Sequence, residues 1–273
     1  MTPPAPHFRY DNESYYRPVT GSRPARAWRE FAIVGLLYLA YGAVRNNFGG
    51  NRPEALRNAV RVLDFESALH LRVEHGLQSG MLGSVAVLVV ANYFYATLHF
   101  VVTIGTLVYL YRRFPRQYPT ARNAIVVTTL AALVGFAIFP LMPPRLLPSE
   151  FGFVDTLARY PTLWSFDSGA MHRVSNQFAA MPSLHVAWAI WCAVWLSRNL
   201  SDPRARALAL AYPAATTFAI VITGNHYILD ALAGGATAML GLGVAVASTR
   251  CRSNAPASVH DAAVAGRRSG ETA

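Results

Sequence analysis

The chain has 273 residues, of which 53% are hydrophobic and only 14% are charged. Soluble globular proteins carry about 25% charged residues, so this composition favours a membrane protein. The net charge is +10 and all 24 basic residues are arginine. These arginines cluster in segments that flank apolar runs, which is the topology signal of a membrane protein and argues against nucleic-acid binding.

The N-terminal quarter is predicted to hold a tail, one span and an interfacial helix. Residues 1–27 are rich in proline, arginine and tyrosine, and we expect a disordered cytoplasmic tail there. The apolar segment 28–44 is short for a transmembrane helix, which needs about 20 residues. Residues 55–78 mix apolar and charged side chains, which predicts an amphipathic helix lying in the interface between spans one and two.

Five further apolar runs predict five further spans. The stretch 81–111 is longer than one span needs, so we predict an entry segment followed by a second span at 92–111. The third span, 124–141, ends at a double proline. A long loop, 146–180, precedes spans at 182–197, 205–222 and 227–248, with a kink at Pro213. The expected fold is therefore an all-α bundle of six transmembrane helices at 28–250, followed by a polar cytoplasmic tail at 251–273.

The distribution of arginine predicts the orientation of these spans. Arginines fill both tails and two short loops, and the second-to-third loop holds Arg112, Arg113, Arg116 and Arg122. The turn between spans five and six holds none. Because cytoplasmic loops are enriched in arginine, we expect both termini inside the cell, as in a multi-pass protein of a bacterial plasma membrane.

Two polar islands interrupt the apolar background. The first reads Ala-Met-Pro-Ser-Leu-His at 180–185, and the second reads Thr-Gly-Asn-His-Tyr-Ile-Leu-Asp at 223–230. Ser183 can cap a helix that begins after Pro182, and the open amides of such a first turn favour an anion. His226 and Asp230 are four residues apart, so a helix would place them on one face. The predicted orientation brings both islands, together with Arg145, to the outer side of the membrane.

Two histidines, an aspartate and an arginine at one membrane face can perform phosphoryl transfer without a metal. One imidazole attacks phosphorus, the other protonates the leaving oxygen, and the arginine and a helix N-terminus hold the phosphate oxygens. A zinc site formed by His185, His226 and Asp230, with His172 as a further ligand, is the alternative, but the spacing lacks a clean zinc motif. Tyr93, Tyr95, His99 and Asn225 are candidate pocket residues.

The two islands resemble the second and third signature motifs of the type 2 phosphatidic acid phosphatase superfamily. Pro143-Pro144-Arg145 and the run from Asn92 to His99 are similar to its branch related to inositol phosphorylceramide synthases. The resemblance covers residues 55–243 and implies a six-helix core and metal-independent transfer through a phosphohistidine. It implies that His226 is the nucleophile, that Asp230 orients it and that His185 is the general acid.

The chain departs from the phosphatase branch at two positions. That branch has a lysine seven residues before its first-motif arginine, where this chain has Ile138, and an arginine six residues before its third-motif histidine, where this chain has Ile220. We expect Arg145, Ser183 and Arg173 to bind the substrate phosphate instead. The loss of two cations favours a phosphodiester donor, which carries less charge than a monoester.

The predicted function is a membrane enzyme, without a cofactor, that transfers a phospho-alcohol group resembling inositol phosphate from a phospholipid. The acceptor is a lipid alcohol, a sugar alcohol or water. A lipid phosphate monoester phosphatase is one alternative. A lipid transporter or lipid-binding protein is an alternative of another class, and it would bind substrate without turnover.

Overall fold

The computed structural model describes residues 23–47, 51–160 and 177–253, and these residues are helical apart from their connections and one isolated β-bridge between Leu141 and Ala179. A π-helical segment lies at Phe94–Leu98, and short 3-10 turns occupy Pro144–Leu146 and Ser149–Phe151. The α-helices are α1 (Arg23–Asn47), α2 (Arg52–Ala68), α3 (Glu74–Met81), α4 (Val85–Tyr93), α5 (His99–Arg113), α6 (Tyr118–Ile138), α7 (Thr156–Arg159), α8 (Leu184–Asn199), α9 (Pro203–Ile222) and α10 (Ile228–Ser253).

Four helical segments among the described residues are long and apolar enough to cross a membrane, which is the pattern of a multi-pass integral membrane protein. They are Val85–Arg113, Tyr118–Ile138, Pro203–Ile222 and Ile228–Thr249. These segments match the predicted spans two, three, five and six. The predicted spans one and four are helical as α1 and α8, but α8 has only 16 residues. The six-span arrangement therefore stays a prediction.

Two predicted boundaries around span two were wrong. The entry segment is not separate, because the helix runs from Val85 through the π-helical segment to Arg113. Arg122 does not lie in the following loop but inside α6, where its guanidinium bonds the Glu30 carboxylate of α1 at 2.6 Å. An arginine paired with a carboxylate is tolerated near a helix end, and sequence periodicity alone does not reveal the partner.

The amphipathic helix predicted at 55–78 is two helices. The chain breaks between α2 and α3, where His70 adopts a left-handed backbone with φ 57°. Val60, Val73 and Leu77 are exposed, whereas Glu66 and Glu74 are fully buried. Both glutamates therefore lie inside the protein, which an amphipathic helix at the membrane interface does not predict.

Local sequence explains where the helices begin. The Asn51 side chain accepts a hydrogen bond from the Glu54 amide at 2.8 Å to cap α2, and Asp202 caps α9 through the amides of Arg204 and Ala205. A cap of this kind contributes about 1 kcal/mol. The helix α9 continues through Pro213.

Two of the apolar clusters lie at opposite ends of the bundle. One lies between α5, α6, α8 and α10 and is built around the fully buried Trp191, whose indole N–H donates to the Ala121 carbonyl at 2.8 Å. The other lies at the opposite end, where α2 packs on Leu141, Met142 and Tyr227. Gln78 of α3 ties this end together, because its amide bonds both the backbone of Val154 and the Ile222 carbonyl. The polar islands lie at this second end.

Candidate active site

The two polar islands meet where α8 and α10 begin. The Ser183 amide donates to the Asp230 carbonyl at 3.0 Å, so a main-chain hydrogen bond joins the first island to the second. Ser183 also caps α8, since its hydroxyl accepts from the Val186 amide. Gly234 lies one turn further along α10. A Cβ atom at this position would overlap the Ser183 carbonyl oxygen, so there is no room for a methyl group. The two helix starts are therefore in direct backbone contact.

His226 and Asp230 form a buried pair. The His226 Nδ1 donates to the Asp230 Oδ2 at 3.1 Å, and the same oxygen accepts from the Tyr227 amide at 3.0 Å. His226 is 4% exposed and Asp230 is fully buried. A carboxylate that fixes the proton on Nδ1 leaves the Nε2 lone pair available for attack on an electrophile.

His185 projects from the first turn of α8 into a cluster of rings. Its ring centroid lies 5.5 Å from that of His226 and 4.1 Å from that of His99, and Tyr95 stacks on it at 4.3 Å. The His99 Nδ1 donates to the Tyr95 carbonyl at 3.0 Å, inside the π-helical segment. π-helical turns often accompany functional sites. The cluster thus places the imidazoles of His185, His226 and His99 next to one another.

Arg145 follows the double proline and is bound to the second island. Its amide donates to the Gly224 carbonyl at 2.8 Å, and its Nε donates to the Asn225 Oδ1 at 3.0 Å. A guanidinium nitrogen also pairs with the Asp155 carboxylate at 2.8 Å. Gly224 has a left-handed backbone, φ 69°, which places its carbonyl toward Arg145 and favours glycine there.

The remaining candidate pocket, phosphate-binding and metal-binding residues do not all lie at the site. His99 and Tyr95 belong to the ring cluster, Asn225 binds Arg145, and Tyr93 is 36% exposed. Arg173 and His172 lie outside the described residues. Within residues 23–47, 51–160 and 177–253, no three histidine, cysteine, aspartate or glutamate side chains are arranged to hold a metal ion.

Three acidic residues of this end were not identified from the sequence. Asp155 pairs with Arg145, and Glu66 and Glu74 accept hydrogen bonds from the amides of Leu229 and Ile228. Burial, with the neighbouring Glu74 carboxyl adding to it, raises the pKa of Glu66 to about 8. The sequence shows these two glutamates only as part of the mixed apolar and charged segment 55–78. A charge run of this kind is usually solvated, so the signal was weak.

A family model described as the PAP2 superfamily matches residues 60–244, which is more than half of the chain. Searches of the curated proteins and of the solved structures found no match. The matched region contains both polar islands, Arg145 and the ring cluster. The chain belongs to the PAP2 superfamily, whose members are phosphatases or phosphotransferases.

Proposed function

We propose that the chain is a metal-independent lipid phosphotransferase that works through a phosphohistidine on His226. In this proposal it moves a phospho-alcohol group, resembling inositol phosphate, from a phospholipid to an alcohol or to water. The observation that carries the proposal is the hydrogen bond from His226 Nδ1 to the buried Asp230. The ring centroid of a second imidazole, His185, lies 5.5 Å from that of His226.

The proposed reaction has two steps. The His226 Nε2 attacks phosphorus, the bond from phosphorus to the lipid oxygen breaks, and His185 gives its proton to that oxygen. His185, now neutral, then takes a proton from the acceptor hydroxyl. The acceptor oxygen attacks the phosphohistidine and the nitrogen–phosphorus bond breaks. Asp230 stabilises the positive charge on His226 in both steps.

The charges around the site support a donor with a single negative charge. Asp155 already offsets part of the Arg145 charge at 2.8 Å. Ile220 is fully buried in the core and Ile138 is 75% exposed, so neither position offers a cation where the phosphatase branch has one. A diester needs less compensating charge than a monoester dianion. We therefore propose a phosphodiester donor, as in the branch related to inositol phosphorylceramide synthases, and propose that Arg145, Ser183 and Arg173 bind its phosphate.

The test is a panel of phospholipids in detergent, with products identified by mass spectrometry. A phosphodiester lipid should release diacylglycerol, and turnover should persist in a chelator. Turnover of phosphatidic acid alone would instead indicate a monoester phosphatase. Binding of lipid with no product in any arm would favour a transporter or binding protein, and loss of activity in chelator would favour the zinc alternative.

Variants of the two histidines test the assigned roles. We expect His226→Ala to abolish turnover of every substrate and to abolish phosphoenzyme formation. His185→Ala should fail on lipids yet keep partial activity on a nitrophenyl ester, because a phenolate leaves without protonation. His75→Ala, at an exposed histidine, is the matched control. A dead His185→Ala together with a His226→Ala variant that turns over the nitrophenyl ester would reverse the assignment.

A further inference from the structure

The first turn of α10 is held by carboxyls from three parts of the chain. The Glu66 Oε1 of α2 accepts from the Leu229 amide at 2.7 Å, and the Glu74 Oε1 of α3 accepts from the Ile228 amide at 2.8 Å. The Asp230 Oδ2 accepts from the Tyr227 amide at 3.0 Å. Three consecutive amides thus each bind a carboxyl oxygen, immediately after His226.

Both glutamates are fully buried, and removing two carboxyl groups from water costs folding free energy. Among the described residues, no protein donor other than a neighbouring carboxyl is available to the Glu66 Oε2 and the Glu74 Oε2. The two carboxyls are neighbours, since they accept from the adjacent amides of Leu229 and Ile228. Two neighbouring carboxyls that are both buried disfavour a second negative charge, which favours a proton on one of them. A helix cap contributes about 1 kcal/mol, and a polar serine or threonine in the chain itself would provide it without burying an acid.

The position of these hydrogen bonds indicates that the buried acids do more than cap the helix. The amides they hold belong to the residues between His226 and Asp230, so they fix the path of the chain that sets the distance between imidazole and carboxylate. Small displacements of a catalytic group can reduce a rate by about a hundredfold. Asp230 has no freedom to compensate, since its Oδ2 is already shared between His226 and the Tyr227 amide.

We propose that Glu66 and Glu74 are positioning residues whose buried carboxyls act as a clamp on the first turn of α10 and hold His226 and Asp230 in the reactive arrangement. The consequence for catalysis rests on the function proposed above, whereas the clamp itself does not. Glu66 holds the Leu229 amide and Glu74 holds the Ile228 amide.

The clamp has a definite dependence on pH. The groups that face Glu66 are Glu74 of α3, and Asp230 and Tyr227 at the start of α10, with His226 beyond Asp230. The folded-state pKa of Glu66, about 8, is above its value of 4.5 in an unfolded chain. The stability that protonated Glu66 contributes is therefore complete below the unfolded value and is lost as the pH rises through the folded value.

The test compares full-length protein in detergent with Glu66→Gln, Glu66→Ala and the control Asp64→Asn, which changes an exposed acid on the same helix. Melting temperatures are measured from about pH 6 to about pH 9. The Tm of the wild type and of Asp64→Asn should fall across this range. Glu66→Gln should keep a flat Tm, because an amide donates to Glu74 and accepts from Leu229 without ionising. Glu66→Gln with the same alkaline fall as the wild type would overturn the clamp.

Two further measurements test positioning. On a nitrophenyl ester, Glu66→Ala should lower kcat by about tenfold or more with KM little changed, and Glu66→Gln should restore kcat. In Tm measurements, Glu66→Ala and Asp230→Ala should be non-additive, because they affect one turn. Additive changes in Tm would contradict the positioning role. A kcat of Glu66→Ala equal to that of Asp64→Asn would contradict it as well. If the wild type turns over no ester, the proposed function fails, and the Tm measurements still decide the clamp.

Discussion

Two nitrogens of the Arg145 guanidinium are already engaged within the protein. The Nε binds Asn225 and a terminal nitrogen binds Asp155, while the Arg145 amide binds Gly224. The side chain is thus fixed before any substrate arrives, and its remaining N–H groups have a set direction. Asp155 is itself fixed, since its other oxygen caps α7 through the amides of Leu157 and Ala158. A rigid planar donor of this kind suits two phosphate oxygens better than a flexible ammonium does.

Arg145→Lys tests this rigid donor while keeping the charge. A lysine cannot reach both Asn225 and a substrate, and each hydrogen bond to a charged group contributes about 1.5–3 kcal/mol. We expect kcat/KM for the phospholipid substrate to fall about tenfold or more. Arg159→Lys, at an exposed arginine of α7, is the control and should retain activity. Unchanged kinetics in Arg145→Lys would indicate that Arg145 is structural, and Arg173 would then be the candidate phosphate-binding arginine.

At the scale of elements, the close approach of α8 to α10 sets the separation of the two islands. Gly234 lies against the Ser183 carbonyl, and Gly241 of the same helix lies against α6 at Thr128 and the Ala124 carbonyl. Glycines along one helix let its neighbours approach to backbone contact, which is a common means of helix association in membranes. The site is therefore held partly by positions that carry no side chain at all.

Gly234→Ala should separate the islands. The added methyl overlaps the Ser183 carbonyl, so α8 must move and the hydrogen bond from the Ser183 amide to Asp230 must lengthen. We expect a loss of about 1–3 kcal/mol of stability, together with reduced kcat. Gly243→Ala is the matched control, because it lies on the same helix with open space around it. It should be neutral or slightly stabilising. Equal Tm values for the two variants would contradict this account of the contact.

Sequence reasoning succeeded where the signal was local and failed where a distant partner decided the outcome. Apolar length identified α6, α9 and α10 because a span of about 20 residues is visible in one dimension. The Ser183 cap and the contact of His226 with Asp230 are local as well, although His226 precedes the helix on which the spacing was expected to place both residues. The burial of Glu66 and the pairing of Arg145 with Asp155 depend on partners far away in the chain or on the path of a loop. No periodicity within a single segment encodes them.

At the scale of the whole molecule, the polar groups collect at one end of the bundle. The loops that carry Arg145 and the two islands lie there, and α2 and α3 cover them, with Glu74 and Gln78 buried beneath. The other end carries Arg112, Arg113, Arg198 and Arg204, on the loops and helix ends that the arginine distribution predicts to be cytoplasmic. We therefore expect the site to face outward.

Cysteine labelling on intact cells tests this orientation. In a Cys251→Ser background, which removes the exposed native thiol, Glu150→Cys should react with a membrane-impermeant maleimide. Glu150 is an exposed residue of the turn that follows Arg145. Ser201→Cys, in the connection between α8 and α9, should react only after permeabilisation. The opposite pattern would place both termini outside and the site in the cytoplasm.

The π-helical segment at Phe94–Leu98 lets one long helix contact different parts of the protein on its two sides. Before it, Asn92 bonds the carbonyls of Thr156 and Tyr160, and α4 packs on α9; after it, His99 meets His185 of α8. The widened turn changes the rotational phase between these two contacts, since each residue added to or removed from a helix rotates everything beyond it by about 100°. The spacing from Asn92 to His99 therefore acts as a length constraint. Many apolar residues can occupy the positions between them, but a chain one residue shorter there would keep its asparagine contact and turn its histidine away from the site.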